Sequence, residues 1–237
     1  MLFLSKIFKD LYIFLKLFFL KRRKNFKILP MGTYCLPRVI TTIAKLKPTK
    51  KQGEKSLPFD LSFFNDFSKI IKLIDTKFEA FYNNLEYDEH KKCWENKDFS
   101  AIFVHDGNLS KEEFIDRYNR RISNLYEYFS DKSFHIYLLI ASFDKISIEQ
   151  LISFRNLMLK YRNDDEFDII LINQSKAEVD GAYKNIHIIN QSKNYDDFNK
   201  LNKDGKWVRK LKKRNCRISQ KIYYEIVNAI IEIIKNY

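Results

Sequence analysis

The chain has 237 residues, 45% of them hydrophobic, which is enough for one domain with a sizeable core and excludes wholesale disorder. Its three cysteines, Cys35, Cys93 and Cys216, are too few and odd in number for a disulfide framework, so a reducing, cytoplasmic setting is expected. The formal charge of +13 predicts an anionic partner, while the joint richness in Lys, Asn, Ile and Phe also fits an AT-rich coding bias that leaves some lysines without a role.

Residues 1–25 read as a basic amphipathic helix. Lys6, Lys9, Asp10 and Lys16 gather on one side of a helical wheel, with Ile13 and Leu17 intruding on that charged arc. Lys21-Arg22-Arg23-Lys24 follows directly. The internal charges exclude a transmembrane span, and no small-residue cleavage site marks a signal peptide. Two readings stay open. One is a helix lying peripherally at the inner face of a membrane, against an anionic surface; the other is a helix packed on the protein's own core or a partner subunit.

Residues 26–237 read as an α/β domain. A short apolar run ends at Met31, Gly32 turns the chain, and a helix opens at Cys35 with Pro37 in its first turn. A thiol at a helix start is pushed toward the nucleophilic thiolate, although a buried structural cysteine fits the same spacing. Lys47 to Leu57 reads as an exposed loop, and Leu57 to Phe64 as an apolar patch around Asp60. Helical periodicity runs from Asp66 to Asn83. A strand over Phe99 to Val104 ends at His105-Asp106-Gly107. Ser110 and Glu113 form a capping box for a helix carrying Phe114, Tyr118, Ile122, Leu125 and Phe129.

Phe134 to Phe143 has the pattern of a strand buried on both faces, and Ser147 to Arg162 is helical. Two further strands, Phe167 to Ile172 and Ile186 to Ile189, each run into Asn-Gln-Ser-Lys, a repetition taken as coincidence in an Asn- and Lys-rich chain. A turn at Asp204 to Trp207 leads into a basic tail, Lys206 to Arg217, and Ile218 to Tyr237 forms a closing helix. Trp207 in that tail suits base stacking, but no nucleic-acid-binding motif supports such a partner. The alternation predicts a single α/β domain built around a mostly parallel, Rossmann-like sheet. Ligands of such sheets sit beyond the carboxyl ends of strands, so Cys35 and His105-Asp106 are expected to face one crevice.

A cysteine nucleophile needs a base, and the base an orienting group. His90 lies in a charged loop, and His135 and His187 lie within strands, which leaves His105 as the candidate base. Asp60 and Asp106 are the candidate orienters. No phosphate loop, zinc-spaced cysteines or Gly-x-Ser-x-Gly elbow occurs, so neither metal nor cofactor is expected.

Gly32-Thr-Tyr-Cys35, Leu57-Pro-Phe-Asp60, Phe103-Val-His-Asp106 and Arg117-Tyr-Asn-Arg-Arg-Ile122 together resemble a family of bacterial proteins described as papain-like cysteine peptidases. The match runs in order from about Ile28 to about Asn173, with Leu61 where the family commonly has tryptophan. The resemblance implies Cys35 as nucleophile, His105 as base and Asp60 or Asp106 as third member, in a protein linked to surface-polysaccharide biosynthesis. Gly32, Tyr34, Arg117 and Arg121 are then expected to contact a phosphorylated glycan or peptide substrate. The strand-helix alternation favours a parallel sheet over a papain-like core, which makes a thiol hydrolase or acyl transferase as plausible as a peptidase. A non-hydrolytic transferase or binding protein for a phosphorylated glycan or nucleotide-sugar, and a membrane-associated accessory protein, are the alternatives.

Overall fold

A computed structural model describes residues 2–48, 50–142, 144–173, 183–190 and 217–236. The basic tail up to Cys216, and all but the first asparagine of each Asn-Gln-Ser-Lys run, lie outside these residues. The described helices are α1 (Leu2–Arg23), α2 (Leu36–Ile43), α3 (Phe67–Asp75), α4 (Lys111–Ser130), α5 (Ile148–Met158) and α6 (Arg217–Asn236). The strands are β1 (Phe26–Gly32), β2 (Phe63–Phe64), β3 (Leu85–Asp88), β4 (Cys93–Asn96), β5 (Ala101–Phe103), β6 (His135–Ala141), β7 (Phe167–Asn173) and β8 (Ile186–Asn190). The fold is α/β, as expected.

β1, β6, β7 and β8 pair in that order, all parallel. β6 and β7 are buried along their whole length because helices or a second sheet cover both faces. On one face, α1, α2 and α6 enclose Ile28, Tyr137, Leu139, Ile170 and Ile189. On the other, α3, α4 and α5 enclose Leu29, Ile136, Leu138, Ile169 and Leu171.

That second face also carries an antiparallel sheet, ordered β2-β5-β4-β3, of which the sequence showed only β5. Its strands are only two to four residues long, too short to display a period. The helix expected from Asp66 to Asn83 stops at Asp75. Lys77 and Phe78 turn left-handed, at φ 52° and 63°, and Phe78 N–H donates to Leu73 O at 2.7 Å. Phe78 and Phe81 still reach the core, but from a series of turns. Their helical spacing therefore misleads.

Capping is local chemistry and holds. Ser110 and Glu113 exchange both capping-box bonds at α4, and Ser147 and Gln150 do the same at α5. The stretch expected to be an exposed loop differs at its start: Lys47 is buried, its ammonium on the Asp60 carboxylate at 2.8 Å. An ammonium so placed needs a carboxylate beside it.

α1 resolves its two readings in part. Ile13, Leu17 and Leu20 are buried against α6, so the residues that intrude on the charged arc are the ones that pack. Lys16 pairs with Glu232 at 3.0 Å, and Tyr224 OH donates to Asp10 at 2.7 Å. No described helix is long and apolar enough to cross a membrane.

Candidate functional site at the carboxyl edge of the parallel sheet

β1 ends where it crowds its neighbour. Gly32 sits at φ +127°, and a Cβ there would lie 2.3 Å from Ala141 O on β6. Only glycine permits that approach. Thr33 N–H then donates to Ala141 O at 3.0 Å, and the buried Tyr34 leads to Cys35 at the N-cap of α2. Cys35 gives the helix no side-chain cap; its carbonyl accepts from Val39 N–H at 3.0 Å. Its side chain is partly exposed at the margin of the core between the sheet and α6.

The register carries a polar row across this edge. Gly32 pairs with Ala141, Ala141 with Ile172, and Asn173 with Asn190, so the next position on each strand is Thr33, Ser142, Asn173 or Asn190. Thr33 Oγ1 donates to Ser142 Oγ at 3.0 Å, and Asn173 Nδ2 donates to Asn190 Oδ1 at 2.8 Å. Ser142 Oγ also accepts from Asp144 N–H at 3.2 Å. Sequence reasoning missed this row. Its signal was the repeated Asn-Gln-Ser-Lys, whose leading asparagines prove to be neighbours.

His105 also follows a strand, but one in the other sheet. Phe64 N–H donates to Thr33 O at 2.8 Å and Phe64 pairs with Ala101, so β5 starts near the Cys35 turn. His105 is exposed on the turn after β5, and its ring makes no hydrogen bond or ion pair with another described residue. Gly107 in that turn packs under the β3–β4 hairpin, where a Cβ would meet Lys92 O at 1.9 Å.

Both candidate orienters are engaged elsewhere. Asp106, 1% exposed, accepts from Arg117 on one oxygen and from Tyr118 OH at 3.0 Å and Arg121 at 3.1 Å on the other. Burial pushes the Tyr118 phenol well above its ordinary range, and the adjoining Asp106 carboxylate adds to the effect. Arg121 is itself buried and stacks its guanidinium 4.7 Å from the Tyr118 ring centre. The two arginines expected at substrate are therefore held by Asp106. Asp60 accepts both from Lys47 and from Leu57 N–H, the latter at 3.0 Å, and so closes the Leu57-Pro-Phe-Asp60 turn. Burial drives the Lys47 ammonium pKa down, and the Asp60 charge offsets only part of that effect.

Compared with known protein families, with curated proteins and with solved structures, the chain has no match.

A second titratable cluster occupies the opposite half of the sheet. Asp168 on β7 accepts from His135 Nε2 at 2.9 Å and from His187 Nε2 at 2.8 Å. His135 Nδ1 lies 3.2 Å from Asp165 O. Burial alone would raise the Asp168 carboxyl, but the two imidazole donors more than offset it and hold the group below the ordinary carboxylate range. The cluster ties edge strand β8 to β6 and β7. Its signal in the sequence was one ionisable residue within each of three apolar strands. Among the described residues, no group of three His, Cys, Asp or Glu side chains is placed to hold a metal ion.

Proposed function

We propose that the chain is a thiol-dependent hydrolase or acyl transferase working through Cys35, in keeping with its resemblance to papain-like cysteine peptidases. The observation that carries this reading is the seat of Cys35: partly exposed, at the N-cap of α2, just beyond the carboxyl end of β1. Sheets of this class receive ligands at that edge, and a helix start favours the thiolate. Cys35 Sγ would attack an ester, thioester or amide carbonyl, with backbone N–H groups of the first turn stabilising the oxyanion. A thioester forms as the leaving group departs with a proton, and water or an acceptor hydroxyl then releases the acyl group and restores the thiol. His105 is the proposed proton carrier. By the same resemblance, the proposed substrates are precursors of surface polysaccharide. A binding role for a phosphorylated glycan through Arg117 and Arg121 is less favoured, because Asp106 already holds both guanidiniums.

Iodoacetamide alkylation with peptide mapping tests the reading thiol by thiol. Cys35 is expected to react roughly tenfold faster at neutral pH than a small thiol in solution. Cys93 is buried, and burial pushes its thiol pKa up, so it should stay nearly inert. A Cys35 rate no faster than that of the small thiol removes the reading. His105→Ala should shift the pH profile of the Cys35 rate; an unchanged profile removes His105 while leaving Cys35 in place.

A further inference from the structure

α1 is packed and yet unfinished. Its inner stripe is fixed to α6, and Lys24 Nζ caps that helix by donating to the carbonyls of Ile234 and Lys235 at 3.0 and 3.1 Å. Its outer side carries Phe8, Leu11, Phe14, Leu15, Phe18 and Phe19, all between 42% and 67% exposed. At about 100° per residue these positions cover an arc of roughly 140°. Seven of the ten large apolar side chains exposed among the described residues lie on this one helix. Such concentration marks an interaction surface.

The charges around the arc say what fits it. The Arg22 guanidinium lies over the Phe18 ring and the Lys16 ammonium over Tyr12, each 4.6 Å from the ring centre, and Lys45 from the end of α2 reaches Phe14 at 5.4 Å. Lys21, Arg22 and Arg23 fill the last turn. The helix's single acid, Asp10, is bonded to Tyr224. Pairing with a second copy would set these cations against themselves in a chain of formal charge +13. A nucleic acid would answer the charge and leave the apolar arc wet.

We propose that the outer face of α1 docks in the interface of an anionic phospholipid bilayer, with the helix axis along the membrane plane. The apolar arc enters the acyl boundary while the rim cations meet lipid phosphates. The α2–α6 side of the sheet then faces the membrane, whether or not Cys35 is a nucleophile.

Co-sedimentation of the full chain with sucrose-loaded vesicles tests this. Binding to an equal mixture of phosphatidylglycerol and phosphatidylcholine should exceed binding to phosphatidylcholine alone by roughly tenfold or more, and should weaken in high salt. The double variant Leu15→Glu/Phe18→Glu changes only exposed positions, so it should keep the native circular dichroism spectrum and lose about tenfold in binding. Arg22→Glu/Arg23→Glu provides an independent second variant with the same expected loss. Equal binding to both vesicle types, or variants that bind like the parent chain, would overturn the proposal. So would a lipid-free dimer dissolved by Leu15→Glu/Phe18→Glu with no vesicle binding, since the occupant would then be a second copy.

Discussion

Asp106 is almost wholly buried, and a carboxylate so placed must be matched in charge and hydrogen bonds. Two guanidiniums and a phenol, all from α4, supply the match. Asp106→Asn would leave those arginines facing each other, with Arg121 buried, and should cost about 3–5 kcal/mol in urea unfolding. Arg117→Ala, at a side chain 35% exposed, should cost about 1 kcal/mol or less. Gly32 is constrained by backbone rather than charge. Gly32→Ala forces a Cβ onto Ala141 O and should lower stability by about 2–5 kcal/mol, with the Cys35 alkylation rate changing as the turn shifts. The need for glycine was legible in the sequence as a turn signal. That the limit is contact with β6, more than a hundred residues later, was not.

Among the elements, the end of α4 and the start of β6 depend on a side chain that no local pattern announces. Arg162, 2% exposed, donates to the carbonyls of Phe134, Tyr128 and Glu166, at 2.8, 2.9 and 3.2 Å, and also to Asp131 O. A lysine has one ammonium and cannot span four carbonyls. Arg162→Lys should therefore lower stability by about 2 kcal/mol or more. Strand β8 is held instead by the Asp168 carboxylate. Because folding depresses the Asp168 pKa, its contribution is present above its unfolded value of about 4 and is lost as pH falls through the lower folded value. The stability gap between the parent chain and Asp168→Asn should accordingly be full at neutral pH and narrow below about pH 4, as read by urea unfolding at each pH.

For the whole molecule, the question is whether α1 belongs to the fold. Ile13, Leu17 and Leu20 complete the core cluster over α6, and burying three such side chains contributes several kcal/mol, an upper estimate from area. Removing residues 1–24 should thus lower the unfolding midpoint as well as membrane binding. A truncated chain of unchanged stability would show that the helix is an appendage. The wide apolar arc of α1 points outward, because the inner stripe already fills the room between α1 and α6.

By itself the sequence determined the α/β class, the capping box of α4, the fully buried strand β6, the strand β7, and the turn that presents Cys35. All of these are local, since hydrophobic period and capping are set by residues within one or two turns of each other. Only the tertiary structure decided that Asp106 answers to α4, that Asp168 joins two histidines, that the two asparagines share a row, and that β2 and β5 pair beside the Cys35 turn. Those pairings follow from strand order and register. Both are settled by burying surface from distant parts of the chain at once, a balance that no short window of residues contains.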